Sequence, residues 1–206
     1  LAEGQLVRAT EVCRQLLIDL GADAAQLTSQ AGMAKVSISG AGIMGRPGVA
    51  ARLFDTLARL GINLRLIATS EVKVSCLVDG SQGVKALRAA AAAFELTEAQ
   101  QRYGAVPCET GSPAVRGVAL DRDQVLVTVR AVPDRPGAAA TICRALADAG
   151  ISLDAIVQSE RTVGEGSERH RDMSFTLKRD DLPGAERALG VVLAGWNGAR
   201  LEEGPA

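Results

Sequence analysis

A 26-residue stretch occurs twice in this chain, its copies 89 positions apart. The first runs from Arg46 to Glu71 and the second from Arg135 to Glu160, and half of the aligned positions are identical. A repeat of this length sets the folding unit, because each copy must build the same local structure and then find cover for the same apolar face. In both copies a Pro-Gly pair (Pro47-Gly48, Pro136-Gly137) opens a helical pattern, where proline loses nothing by lacking an N–H. In both, a glycine (Gly61, Gly150) stops it, and an apolar, strand-like segment follows.

Extending the periodicity outward gives the rest of each unit. Lys35–Ser39 alternates, with Val36 and Ile38 on one face, and reads as a half-buried strand. The loop Gly40–Gly45 leads to a helix with Val49, Leu53, Phe54, Leu57 and Leu60 on its apolar side. Ile62–Thr69 and Val72–Val78 read as a hairpin across Ser70 and Glu71, and Gln82–Phe94 as an Ala-rich helix. In the second unit the strand Val125–Ala131 precedes the helix that starts at Pro136. The strands Ile151–Gln158 and Asp172–Leu177 flank a polar loop, Arg161–His170. The helix Leu182–Leu193 and a closing strand, Ala199–Glu202, complete it. The order β-α-β-β-α-β is the split βαβ of a ferredoxin-like sandwich. The expected fold class is therefore α+β, as tandem ferredoxin-like units with antiparallel sheets and helices on one face. Residues 5–20 carry a separate helical stripe (Leu6, Val7, Val12, Cys13, Leu16, Leu17, Leu20), and Ala24–Ser29 reads as a short strand. The expected division is 1–32, the back part of a truncated unit; 33–97, a unit; 98–113, a Gly/Pro/Ser-bearing linker; and 114–206, a unit led by a short strand at Ala114–Leu120. With no Met at its start, the chain is expected to be a piece of a longer protein.

Composition narrows the function classes. With 47% hydrophobic but only 2% aromatic residues among 206, the cores must be built from Ala, Val, Leu and Ile. The net charge of −1 gives no electrostatic basis for binding nucleic acid or an anionic membrane. No apolar run approaches the roughly 20 residues of a membrane span, and no signal peptide is seen. Cys13, Cys76, Cys108 and Cys143 form no CxxC pair, which suits small apolar thiols in a reducing, cytoplasmic compartment.

Few residues have the pattern of chemistry. Gly40-Ala-Gly-Ile-Met-Gly45 matches GxGxxG, but a Gly-rich turn is the better reading. Val132–Gly137 lacks the pattern, the next strand carries Asn63 and Arg65 instead of a ribose-binding carboxylate, and a hairpin breaks the parallel sheet such a loop requires. His170 is the single histidine and reads as a solvated loop residue, so a catalytic triad or a multi-histidine metal site is not expected. Asp134-Arg-Pro-Gly137 is more informative. A helix N-terminus here aims free N–H groups at the loop, suited to a ligand carboxylate, and Asp134 offers an acceptor for an ammonium. Asp134 as a plain helix cap is an equally good reading. Arg52, Asp55 and Arg59 read as solvated surface, and Met173 and Phe175 as core.

Loop, helix and hairpin together resemble the ACT domain, an amino-acid-sensing module of ferredoxin-like fold. Lys35–Met44, Pro47-Gly-Val49, Ile62-Asn-Leu64 and above all Ile67-Ala-Thr-Ser-Glu-Val-Lys-Val-Ser75 resemble the C-terminal regulatory unit of the aspartate kinase family. Gly117-Val-Ala119, Val132–Gly137, Leu146–Ile151 and Ile156-Val-Gln158 resemble its N-terminal regulatory unit. The reversed order of the two implies the middle of a form with four tandem ACT units. The resemblance implies effector contacts at Asp134, Arg135, Pro136, Gly137, Ala138, Ala139, Ser152, Leu153, Asp154 and Gln158, and in the other unit at Val49, Ala50, Asn63, Leu64 and Ser70. It implies lysine or threonine, or both, bound between paired units as feedback inhibitors of a kinase that phosphorylates aspartate. The kinase domain, which would use ATP and Mg, is not in this chain; no catalytic residue, cofactor or metal is expected here. Pairing of ACT units implies a homo-oligomer. The family usually continues Asn-Val-Ser after the glutamine, whereas Ser159-Glu-Arg161 follows here. Competing readings are ACT units of another amino-acid enzyme, which Thr69-Ser-Glu71 argues against; an acyl-phosphate hydrolase, for which Arg46 or Arg135 lacks an evident partner; and an RNA-binding sheet, for which the aromatics are too few.

Overall fold

The computed structural model describes residues 5–23, 25, 27–43, 46–70, 72–101, 120–121, 123–158 and 169–204. Among the described residues, twelve α-helices and β-strands run in the order α1 (Leu6–Asp19), β1 (Met33–Ser39), α2 (Val49–Arg59), β2 (Leu66–Ser70), β3 (Lys73–Asp79), α3 (Gly83–Ala93), β4 (Gln124–Pro133), α4 (Ala138–Asp148), β5 (Ile156–Gln158), β6 (His170–Lys178), α5 (Leu182–Leu193) and β7 (Arg200–Glu203). The two repeats do not form two sheets. They merge into one antiparallel sheet of order β1-β3-β2-β5-β6-β4-β7, joined at its centre where Ile67 pairs with Gln158 and Ala68 with Val157. Each unit therefore covers the strand edge that the other would leave unpaired.

One continuous core lies between this sheet and the helices, running through both units. Its inward face is Val36, Ile67, Val74, Cys76 and Val78 from one unit and Val127, Val129, Met173, Phe175 and Leu177 from the other. The helices answer with Leu53, Phe54 and Leu57 of α2 and Ile142 and Leu146 of α4, all essentially without exposed surface. Complete burial of such a side chain contributes roughly 1.5–3 kcal/mol. The helices α2 and α4 lie side by side across the unit boundary. Gly48 and Gly137 hold φ of 92° and 94° at the two helix starts, and a Cβ on each would stand 3.7 Å from Ala147 and Ala58, respectively, on the other unit's helix. Each Pro-Gly turn thus docks on the opposite unit.

The expected antiparallel sandwich is present, with several local differences. The strand expected over Ile62–Thr69 begins only at Leu66, and the one over Ile151–Gln158 only at Ile156. Ile62, Leu64 and Ile151 are buried outside the sheet, and inside β2 the buried residue is Ile67, so the inward phase shifts by one. Leu27–Ser29 form no strand. His170 is not a loop residue: it opens β6, opposite Pro133. Asp55 is not free surface, since its carboxylate pairs with Arg144 of α4 across the unit boundary. The expected strand at Ala114–Leu120 lies outside the described residues except for Leu120, as do Cys108 and most of the 161–170 loop. The helix α1 buries none of its residues.

Candidate functional site

Two clefts open where the repeats meet, and the repeat symmetry relates them. The first is formed by the loop and N-terminus of α2 (Ile43, Arg46, Gly48 to Ala51), by Leu153 and Asp154 of the other unit, and by Thr69 and Ser70 of β2; it encloses about 530 Å³ of empty space, part of it open to solvent. The second is formed by Asp134, Arg135 and the N-terminus of α4, by Asn63 and Leu64 of the other unit, and by Gln158 of β5; it encloses about 290 Å³. Each cleft thus sets one unit's helix start against the other unit's Ile-x-Leu segment.

The local sequence explains the geometry. A Pro-Gly pair starts each helix without a polar cap: Gly48 and Gly137 stand at the N-cap, and neither helix receives a side-chain capping bond. In α4 the Ala138 N–H turns back to the Arg135 carbonyl at 3.3 Å, and the N–H groups that follow it, with those at the start of α2, are left to face an anion at the positive end of the helix dipole. The capping alternative for Asp134 is set aside by this geometry. Its carboxylate, only 3% exposed, instead accepts a hydrogen bond from Asn63 Nδ2 at 3.0 Å and lies 3.1 Å from Arg171 Nε and 3.6 Å from an Arg169 nitrogen. Its own amide donates to the Arg169 carbonyl at 2.8 Å. A bulge between Val129 and Val132, with Ala131 at φ 56°, shifts the register of β4 just before Asp134.

The floors of the clefts differ at one aligned position. Phe54 lines the second cleft and its repeat equivalent, Cys143, lines the first. A phenyl ring against a thiol accounts in direction for the smaller volume of the second cleft. Burial pushes the Cys143 thiol up to about 12, so at neutral pH it is an apolar wall and not a nucleophile. In the first cleft, Thr69 Oγ1 is already used, accepting the Ile156 amide at 2.7 Å. Asp154 accepts from Gln124 at 2.6 Å. In the second, Gln158 is 5% exposed and its Oε1 has no hydrogen-bond partner.

The residues expected as contacts are sorted by cleft and not by unit. Asp134, Arg135, Gly137, Ala138, Ala139 and Gln158 meet Asn63 and Leu64 in the second cleft; Val49, Ala50 and Ser70 meet Leu153 and Asp154 in the first. Pro136 and Ser152 line neither. Phe54, Cys143, Thr69 and Arg171 were missed. The repeat alignment itself pairs Phe54 with Cys143. Arg171 was legible as a charge in phase with the inward residues Met173, Phe175 and Leu177. The GxGxxG reading as a turn fits β1, which lies antiparallel to β3, and Arg46, whose guanidinium lies against Gly42. Among the described residues no group of three or more His, Cys, Asp or Glu is placed to hold a metal, and no helix is long and apolar enough to cross a membrane.

Comparison with known proteins gives a consistent result. Residues 36–94 and 125–194 each match a family model described as ACT domain. Over 71 residues the chain is 49% identical to an aspartokinase of Bacillus sp. (strain MGA3), covering 34% of this chain and 17% of that protein. Over 98 residues it is 40% identical to an aspartokinase of Pseudomonas aeruginosa, covering 48% of this chain and 23% of that protein. The chain spans about a fifth of the length of these curated relatives. A solved aspartate kinase from Synechocystis superposes over 98% of this chain and 34% of its own, with a TM-score of 0.84 and 38% identity.

Proposed function

We propose, from the premise that this chain belongs to the ACT-domain regulatory regions of the aspartate kinases, that it is an amino-acid sensor binding lysine, threonine or both for feedback inhibition. The observation that carries this reading is the pair of clefts between units, each with an uncapped helix N-terminus facing the other unit's Ile-x-Leu segment. An α-amino acid has a carboxylate for those amides and an ammonium for a nearby acceptor. Residues of both units close each cleft, so a ligand there bridges the boundary and favours one packing of the pair.

In the whole protein that packing would be communicated to a kinase domain using ATP and Mg to phosphorylate the side-chain carboxylate of aspartate. The coupling is a two-state equilibrium, limited by the ligand's differential affinity for the two arrangements. Association of further ACT units into a homo-oligomer and a cytoplasmic setting belong to the same proposal. The acyl-phosphate hydrolase reading loses support because the Asn63 amide is bonded to the Asp134 carboxylate, a poor neighbour for a phosphate.

Calorimetric titration with lysine and threonine, with aspartate and methionine as controls, tests the proposal. Saturable heat with lysine or threonine and none with the controls is the expected result. Silence with both, in this chain and in one extended through further ACT units, would remove the sensor reading.

A further inference from the structure

In the second cleft the carboxylate that would receive a ligand cation already has one. Arg171 enters from β6 in phase with Met173, Phe175 and Leu177, facing the helices, and its side chain is 4% exposed. A guanidinium in that position is costly unless paired. It is held on two sides: one terminal nitrogen donates to the Arg65 carbonyl, and Nε lies 3.1 Å from Asp134 Oδ1. The second contact is a charge pairing and not a directed hydrogen bond, since Nε has no aligned acceptor. Asn63 takes the same oxygen and Arg169 lies near the other. Arg135 also lines the cleft, and among the described lining residues Asp134 is the one carboxylate. The acceptor left open is neutral: Gln158 Oε1, buried and without a partner.

We propose that Arg171 is a built-in counter-cation that occupies Asp134 and sets this cleft against amino acids with cationic side chains, in favour of small uncharged ones. The proposal rests on the reading of the clefts as amino-acid sites. The ligand carboxylate lies at the start of α4 and its ammonium at Gln158 Oε1. Its side chain meets the Phe54 ring and a pre-neutralised Asp134. A lysine ammonium gains nothing from a carboxylate that is already paired, and it meets the surrounding guanidinium groups. Arg171 acts through Asp134 and touches no ligand, so it is a positioning residue.

The test follows the side-chain amide resonances of Asn63 and Gln158, which report this cleft alone, during titration with alanine, threonine and lysine. In the unaltered chain, threonine or alanine is expected to saturate both resonances at concentrations where lysine leaves them unmoved. Arg171→Gln frees the carboxylate, and lysine affinity at these resonances should rise about tenfold or more, the scale of one buried charge-assisted pairing. Arg171→Lys should keep the exclusion, which a purely packing role for the long side chain would not require. Should Arg171→Gln fail to fold, the double variant Asp134→Asn/Arg171→Gln carries no uncompensated buried charge, and its threonine-over-lysine preference should be narrower than in the unaltered chain. Lysine saturating the unaltered cleft as readily as threonine would overturn the proposal. So would an unchanged preference in the variants. If no amino acid moves either resonance in any variant, this assignment falls, while the sensor reading is decided separately by the calorimetric titration, which also reads the first cleft.

Discussion

Replacing Asp134 by alanine is expected to do more than remove a ligand contact. The carboxylate is 3% exposed and its partner Arg171 4%, so the substitution strands a buried guanidinium. Breaking a buried pair from one side costs about 3–5 kcal/mol. Two features place this case at the lower end. Arg171 keeps its bond to the Arg65 carbonyl, and Arg169, at 42% exposed, is half in solvent and contributes little to the pair. The Asn63 amide loses its acceptor, worth about 1 kcal/mol. The expected loss is about 3 kcal/mol, or roughly 6–12 °C in Tm for a chain of this size. Urea unfolding followed by circular dichroism measures it, with a fluorescence probe as the check on two-state behaviour. Asp134→Leu with Arg171→Met should recover most of the loss, because two apolar residues replace two charges. A loss under about 1 kcal/mol for Asp134→Ala would refute the buried pair. A relief of inhibition in an Asp134→Ala enzyme would accordingly mix weaker binding with a loosened unit boundary, and the stability measurement separates the two.

Cys143→Phe places in the first cleft the ring that its repeat equivalent places in the second. It should abolish ligand heat from the first cleft at a cost in stability of about 1–3 kcal/mol, because Cys143 is a core residue and the larger ring must displace its neighbours; undiminished binding would show that the ligand lies elsewhere. Phe54→Ala should cost about 3–5 kcal/mol in urea unfolding, since Phe54 is 1% exposed, and it should let the second cleft admit larger side chains in calorimetric competition. Alkaline unfolding should reveal the buried thiols. Burial raises both Cys76 and Cys143 to about 12, above the value of 9.0 that an exposed thiol has. Their contribution is whole below about pH 9 and is lost as the pH climbs toward 12, because the unfolded chain releases protons the folded one retains. The urea midpoint should therefore fall between pH 9 and 10.5, and at pH 8 a thiol reagent should modify the exposed Cys13 while sparing both.

Much of the fold was legible because it depends on local periodicity. The helix faces at Leu53, Phe54 and Leu57, the glycine stops at Gly61 and Gly150, and the inward set Met173, Phe175 and Leu177 are each written within a few residues of one another. The repeat added the stronger constraint that both units build the same thing. Asp134 was legible in its own loop, beside a helix start, as an acceptor; Gln158, Asn63 and Val49 came from family resemblance alone, and all four line one of the two clefts.

What local pattern could not carry was how one unit sits on the other. The strand alternation at Ile62, Leu64 and Leu66 reads as one continuous strand. In the fold, residues 62–64 lie outside the sheet and line the second cleft, opposite the Pro-Gly turn and the start of α4. The sheet continues across the repeats through the pairing of β2 with β5, a contact between residues about 90 positions apart that no window of sequence contains. The fate of Asp134 was decided in the same way. As a residue type it could cap a helix, receive an ammonium or pair with an arginine, and the sequence left these alternatives open. Only the packing of β6 beside β4, which buries Arg171 against it, selected the third.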